Sequence, residues 1–330
     1  MLINSLYSEK EIIQMIEKET FLYNKDNISR TNRYFSYYKQ HKNIVWSFLA
    51  SMVSRNAGYN MCDLEGAVFP KLLKPNFRER LFLTYERANW LIFQDAFPQL
   101  LLYHYSTKIN RPMFHLLKYF HVSSFMEREW NFYWTHRDDL RLMYALIINE
   151  QNVIQKPVMQ HPIYKKRVFH SMLFSLQDWF HFSAVLFPTC SGQLFGASVN
   201  GFRSVDKRID LGKRLADILF NPKNYPSIFE FAEKTKHTGS RGDYEQYLEK
   251  RPTTTTPYLR ATFPVVKHHI SEYRDWSKEN KTKQKWFSRK INHRHPIRIT
   301  KWYEKKQLEI HLAASVNDCI NLMLHNKKQG

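Results

Sequence analysis

The segment from His237 to Tyr244 carries the residue types best suited to hold an anion. It contains two of the nine glycines of the chain, together with Thr238, Ser240 and Arg241. A short helix is predicted over residues 243–248, and backbone amides at the start of a helix attract phosphate or carboxylate groups. The alternative is a capped turn in which Arg241 is paired inside the protein.

A second polar segment, residues 54–64, follows a helix that the apolar spacing predicts to be central. Gly58 is expected to end that helix, because glycine commonly stands just beyond a helix C-terminus. The polar residues around it, among them Arg55, Asn56 and Asp63, then form either a hydrogen-bonded corner or the wall of a pocket.

Three carboxylates stand inside otherwise apolar helical segments: Glu86, Asp95 and Glu150. Glu86 and Asp95 belong to one predicted helix, but at about 100° per residue they lie on different sides of it. Convergence of one of them with Glu150 from another helix would give a general acid and base pair. Buried ion pairs that join helices require the same residues and are the alternative.

An enzyme active site or a small-anion pocket is therefore one functional hypothesis. It requires the two polar segments and the helical acids to meet at one place. Its candidate residues are Arg55, Asn56, Glu86, Arg87, Asp95, Glu150, His237, Ser240 and Arg241.

Motifs for metal or nucleotide binding are absent from the sequence. Asp178 and His181 form the one acid-x-x-His pair, whereas a di-metal helix bundle needs two copies, and a core role for His181 is preferred. Cys-x-x-Cys, His-Glu-x-x-His and glycine-rich phosphate loops do not occur. We therefore expect no metal and no cofactor.

The strongest charge signal lies near the C-terminus. Residues 276–303 hold nine Lys or Arg and one acid, Glu279, and so carry +8 of the formal net charge of +20. Aromatic residues are interleaved with these cations. The candidates for nucleic-acid binding are Lys281, Lys283, Lys285, Trp286, Arg289, Lys290, Arg294, Arg298, Lys301 and Trp302.

This basic segment favours nucleic acid or another polyanion as the partner. Lys and Arg neutralise phosphates, and aromatic rings stack on exposed bases. The alternatives are a solvated surface with its aromatic rings buried, and contact with anionic lipid headgroups. His268 and His269 add charge only below about pH 6.5.

The amino-acid composition limits the kinds of protein that this chain can form. A hydrophobic fraction of 43% is sufficient for a core. Three widely spaced cysteines exclude a disulfide framework and favour a reducing cytoplasm. We expect neither a signal peptide nor the ~20 apolar residues that a membrane span requires.

Glycine is absent between Gly66 and Gly192, and apolar residues recur at steps of three and four, so we expect consecutive helices. Capping boxes are predicted at Ser8 and Ser124. Pro98 is expected to kink or end a helix of residues 76–96. Further helices are predicted over residues 44–58, 140–154, 164–187 and 205–220, and residues 297–302 alternate like a strand.

The predicted fold is all-α, a multi-helix globular core of residues 1–251 followed by a smaller basic region of residues 252–330. The second region begins with a Thr/Pro linker, residues 252–257, and ends in an amphipathic helix of residues 304–324. The apolar stripe of that helix runs through Leu308, Leu312, Val316, Ile320 and Leu324. The helix is expected to pack back on the core.

Several motifs in one order resemble the YppC-like family of Bacillus and its relatives. They are Val53–Leu64, Glu86–Asn89, Phe93–Gln99, Ile148–Gln151 and His237–Arg241. The resemblance runs from Asn27 to about Phe287, so the basic tail beyond it is expected to be particular to this chain. The family is a domain of unknown function, and the resemblance implies a bacterial cytoplasmic setting but no mechanism.

Overall fold

Helices make up most of the chain. The computed structural model describes residues 8–159, 184–198, 204–250, 256–270, 272–291 and 296–326. In these ranges the longer helices are α1 (Glu9–Tyr23), α2 (Asn27–Gln40), α3 (Trp46–Asp63), α5 (Pro75–Ile109), α6 (Ser124–His136), α7 (Asp139–Val153), α8 (Val205–Leu219), α9 (Tyr225–Lys234) and α13 (Thr300–Asn326). Single helical turns form α4 (Phe69–Leu72), α10 (Gly242–Glu245), α11 (Leu259–Thr262) and α12 (Trp276–Glu279). The mostly helical class is confirmed.

Polar side chains fix the helix starts. The Ser8 hydroxyl accepts the amide of Glu11, and the Glu11 carboxylate accepts the amide of Ser8 at 2.7 Å, so the predicted capping box is present. At α6 the cap is Ser123 rather than Ser124. The amide of Ser124 instead donates to Asp275 at 3.0 Å, which explains the difference of one residue.

The main core is rich in aromatic rings from α2, α3, α5 and α6. The ring of Tyr34 meets that of Trp46 edge-on at 5.6 Å, and Phe93 stacks on Phe97 at 4.6 Å. Trp130 is fully buried in the same cluster. Large buried rings dominate core energetics, and here they fix the positions of the polar side chains that the same helices carry.

Helix α3 continues through Gly58 to Asp63, so the prediction that Gly58 ends the helix is wrong. A Cβ atom at this position would lie 2.5 Å from Oδ1 of Asn27 and 2.9 Å from the ring of His237. Glycine is required because two side chains approach the helix backbone closely. The polar residues 54–63 are therefore helical rather than part of a loop.

Helix α5 continues through Pro98 to Ile109, so the expectation that Pro98 ends the helix is wrong. Phe97 and Gln99, on either side of the proline, and Leu100 beyond them are completely buried. Proline removes one backbone hydrogen bond, and packing of the flanking turns against the core outweighs that loss.

A two-stranded antiparallel sheet interrupts the helices. Strand β1 (Ala184–Pro188) pairs with β2 (Leu194–Ser198). The end of the predicted helix over residues 164–187 is thus wrong, because residues 184–187 are extended, while residues 160–183, including Asp178 and His181, lie outside the described residues. The strand-like residues 297–302 contribute one bridge, from Arg298 to Phe195, before α13 begins.

The basic segment contacts the main core directly. Trp276, Trp286 and Tyr303 are buried in the main hydrophobic cluster. Residues 252–255 of the predicted linker lie outside the described residues, whereas Thr256 accepts the amide of Arg241 at 2.7 Å.

Helix α13 presents a different face to the protein than its apolar stripe suggests. Ile310 and Ala314 are buried, whereas Leu308, Leu312 and Val316 are each more than half exposed. Asn317 donates to the carbonyl of Lys71 in α4. Among the described helices, none is long and apolar enough to cross a membrane.

Candidate functional site

The two predicted polar segments contact each other. The guanidinium of Arg241 donates to both carboxylate oxygens of Asp63, at 2.6 and 2.5 Å. It also donates to the hydroxyl of Tyr244 at 2.5 Å. The neighbouring Ser240 hydroxyl donates to the carbonyl of Thr256 at 2.6 Å. These contacts use the donors that an anion would need.

His237 is held between α2 and the start of α10. Its Nε2 lies 2.9 Å from Oδ1 of Asn27, and its Nδ1 lies 3.4 Å from Asp243. Burial lowers the pKa of His237 to about 4, so its ring is neutral near pH 7. The geometry is that of a fixed structural contact, with the Asp243 carboxylate also accepting the amide of Thr238.

Arg55 and Asn56 connect α3 to other elements. The guanidinium of Arg55 donates to the carbonyl of Thr235 and to the hydroxyl of Tyr59. The Asn56 amide donates to the carbonyl of Ala184 at 3.0 Å and accepts the amide of Leu186, so it completes one edge of β1. The structure thus joins the two segments into a hydrogen-bonded corner.

Glu86 belongs to a different group of residues. It accepts a hydrogen bond of 2.5 Å from Arg30, and both side chains are buried. Burial opposes ionisation of Glu86, but the Arg30 guanidinium outweighs it and holds the pKa of Glu86 below its usual value. The second oxygen of Glu86 lies 3.8 Å from Nε2 of His268, and neither atom has a hydrogen-bond partner among the described residues.

Asp95 and Glu150 are the two carboxyl groups with raised pKa values. Burial raises the pKa of each to about 7. Asp95 accepts hydrogen bonds of 2.5 Å from Asn149 and 2.7 Å from Gln99. The hydroxyl of Tyr34 lies near both acids, whose charges raise its pKa further after burial, and it has no hydrogen-bond partner among the described residues.

A cleft of about 630 Å³ opens beside Asp95. Its walls come from α5, from the turn that follows α7, and from residues 267–280. Asp95 and Arg87 are the only residues of the predicted pocket that line it. Four lining residues are Lys or Arg, three are His and three are Asp or Glu.

Sequence reasoning missed most of this cleft. His121, Lys156, Lys267, His268 and Arg274 line it, and none was a candidate site residue. The adjacent pair His268 and His269 was the one visible signal. The cleft wall beyond it is assembled from segments far apart in the chain.

The basic segment is held by its two tryptophans. Trp276 donates to Asn149 at 2.8 Å, and Trp286 donates to Asp206 at 2.9 Å; both rings are buried. Asp206 also pairs with Lys283 at 3.0 Å and Lys285 at 2.5 Å. Burial of Asp206 opposes ionisation, but these lysines lower its pKa to about 2.

The remaining cations of the segment differ in their surroundings. Lys281 and Lys290 are exposed, and Arg289 is exposed with Asp138 at 3.5 Å. Arg298 and Lys301 lie farther along, exposed beside β2 and at the start of α13. Trp302 is half-buried. Arg294 lies outside the described residues.

The fold is mostly helical, with a single two-stranded sheet among the described residues. The chain belongs to the family described as "Protein of unknown function (DUF2515)", whose model matches residues 22–304. The match includes the whole basic segment, so the expectation that the tail is particular to this chain is wrong for residues up to 304.

A named relative supports the same assignment. The chain is 46% identical over 310 residues to "Uncharacterized protein YppC" of Bacillus subtilis (strain 168). The matched region covers 93% of this chain and 95% of the relative. The predicted resemblance is confirmed. No solved structure matches the chain.

Proposed function

We propose that this protein binds nucleic acid through its phosphates, along an exposed surface that we call the basic surface: Lys278, Lys281, Lys283, Lys285, Arg289 and Lys290. One observation carries the proposal. Six exposed cations lie on two short helical turns, α12 and the 3₁₀ turn Gln284–Phe287, and on the residues between and after them. Each turn is fixed by a buried tryptophan.

The anchoring of these turns matters energetically. Trp276 and Trp286 hold the backbone by packing and by hydrogen bonds to Asn149 and Asp206. The cations therefore project from a fixed frame, and binding a polyanion orders only their side chains. Asp206 offsets part of the charge at Lys283 and Lys285, and Asp138 lies near Arg289, which leaves Lys278, Lys281 and Lys290 as the cations of the surface without an acidic partner among the described residues.

The buried rings also restrict the mode of recognition. A ring that lies in the core cannot stack on a base, so the stacking expected for Trp286 is not part of the proposal. Binding rests on phosphate charge, which is independent of base sequence. We infer comparable binding to single and double strands, and a cytoplasmic location, where nucleic acid is accessible.

A salt titration tests this function. Anisotropy of labelled single- and double-stranded DNA and RNA is followed with the full chain at two or more salt concentrations. Neutralising three to six phosphates gives a slope of about −2 to −5 in a plot of log K against log salt concentration. Absence of binding at low salt, or binding without salt dependence, contradicts the proposal.

Anionic lipid is the competing partner for such a surface. Flotation with phosphatidylserine vesicles, beside phosphatidylcholine vesicles as the neutral control, distinguishes the two. We expect weak flotation that added DNA abolishes. Strong flotation that DNA does not displace would favour a membrane surface and contradict the nucleic-acid proposal.

A further inference from the structure

The cleft beside Asp95 holds a cation in a fixed position. Arg87 donates to the carbonyl of His269 at 2.9 Å, and its guanidinium lies 5.1 Å from the ring of Trp90. The ring and the carbonyl orient this side chain at the cleft wall. Lys267 is exposed at the same wall and has no acidic partner among the described residues.

The other two cations that line the cleft each form an ion pair with a carboxylate. Lys156 pairs with Glu279, and Arg274 pairs with Glu272 at 2.7 Å. The charges of Lys156 and Arg274 are therefore balanced by these two carboxylates. Among the cations that line the cleft, Lys267 is the one that remains to attract an anion, and Arg87 lies on the same wall in a fixed orientation.

A buried histidine also lines the cleft. The His268 side chain is 8% exposed, and its Nε2 lies 3.8 Å from Oε1 of Glu86, with no hydrogen-bond partner among the described residues. The ring therefore faces a buried carboxylate and adds a polar group to the cleft wall.

The remaining walls of the cleft are apolar and suit the hydrocarbon part of a ligand. Its walls include Leu91, Phe120, Val153, Ile270 and Trp276. A volume of about 630 Å³ with apolar walls and a few convergent polar groups is typical of sites for small organic molecules.

We propose that this cleft binds a small organic anion, whose charged group contacts Arg87 and Lys267 and whose apolar part lies against the wall that includes Trp276. Asp95 and His268 supply polar contacts at its floor. The cleft adjoins the basic surface, since Glu279 and Asn280 line it, but the cations that contact the anion are different ones. The proposal therefore stands whether or not the protein binds nucleic acid.

Two aromatic anions serve as probes: benzoate for carboxylates and phenyl phosphate for phosphates. Their binding to the full chain is measured by titration calorimetry and by saturation-transfer NMR. We expect saturable binding of at least one probe with a dissociation constant of about 1 mM or below. The stronger of the two identifies the anionic group that the site prefers.

A matched pair of charge reversals locates the binding. Lys267→Glu should weaken it about tenfold, because an attractive charge near the anion becomes repulsive. Lys290→Glu, which makes the same change on the basic surface, should alter it less than about twofold. Lys267→Ala replaces the reversal if its melting temperature shows that the reversed chain is unfolded, and it should weaken binding in the same direction.

Three results would overturn the proposal. One is the absence of saturable binding of both probes up to about 10 mM. The second is equal weakening by Lys267→Glu and Lys290→Glu, which would indicate non-specific attraction to a basic protein. The third is full affinity after substitution of Lys267.

Discussion

Arg241 and Asp63 form a bidentate ion pair across 178 residues of sequence, with guanidinium-to-carboxylate distances of 2.6 and 2.5 Å. Both side chains are largely buried, at 11% and 7% exposed. The pair ties the end of α3 to the start of α10. The two polar segments whose residue types suggest an anion site therefore satisfy each other's charges and hydrogen bonds.

Removing one partner of this pair should be costly. Asp63→Asn leaves the Arg241 charge uncompensated in the interior, and we expect a loss of about 3–5 kcal/mol in the free energy of unfolding. Glu230→Gln is the control, because it removes a carboxylate from the exposed pair with Lys234, which is worth about 0–1 kcal/mol. Urea unfolding of both variants measures the difference, and equal losses would contradict a structural role for the Arg241 pair.

Gly58→Ala should destabilise the protein, although alanine usually improves a helix interior by about 1 kcal/mol. The added Cβ would clash with Asn27 at 2.5 Å and with His237 at 2.9 Å. We expect a loss of about 1–3 kcal/mol. Gly242→Ala, whose added Cβ would lie 3.3 Å from the Ser240 hydroxyl, is the control. A chain stabilised by Gly58→Ala would show that the close approach is incorrect.

Asp95→Asn should stabilise the protein increasingly as the pH rises. Burial raises the pKa of Asp95 from 3.8 to about 7, so between these values the folded state keeps a proton that the unfolded state releases. The contribution of Asp95 is therefore favourable in acid and is lost as the pH rises through 7. Asparagine can accept the same hydrogen bonds from Asn149 and Gln99 without ionising.

The measurement is the difference in unfolding free energy between Asp95→Asn and the wild type at pH 5 and pH 8. We expect it to grow by about 1–3 kcal/mol in favour of the variant. Asp206→Asn is the control, since the pKa of Asp206 is about 2 and its charge does not change in this range. A difference that is constant with pH would show that Asp95 ionises normally.

The orientation of α13 can be tested with two truncations. Ile310→Ala should cost about 2–4 kcal/mol because Ile310 is buried at 7% exposure. Leu312→Ala should cost less than about 0.5 kcal/mol because Leu312 is 57% exposed. The reverse order would indicate that the helix packs through the apolar stripe that its sequence suggests.

Local sequence rules predict where most helices lie, but they do not predict why a glycine or a proline occurs inside one. Ser8 and Glu11 cap α1 as expected, because a capping box involves only neighbouring residues. The same local reasoning predicts that Gly58 ends a helix and that Pro98 kinks or ends one. Both lie inside helices because distant side chains require a glycine at one position and core packing outweighs the proline at the other.

The site was predictable only in part. The sequence identified the buried carboxylates and the polar segments, since charged residues among apolar ones stand out. It could not show that Arg241 pairs with Asp63, or that Glu86 pairs with Arg30, because these contacts span 178 and 56 residues. The cleft depends on residues 267–280 folding against α5 and α7, which local patterns do not encode.

The most direct test of the proposed function is a comparison of two double charge reversals with the same change in net charge. Lys281→Glu with Lys290→Glu alters the basic surface, and Lys10→Glu with Lys18→Glu alters exposed positions on α1. We expect the first pair to weaken DNA binding at least about tenfold and to reduce the salt slope by about 2, and the second pair to change affinity less than about threefold. Equal weakening by the two pairs would show that binding follows net charge alone and would contradict a nucleic-acid surface at residues 278–290.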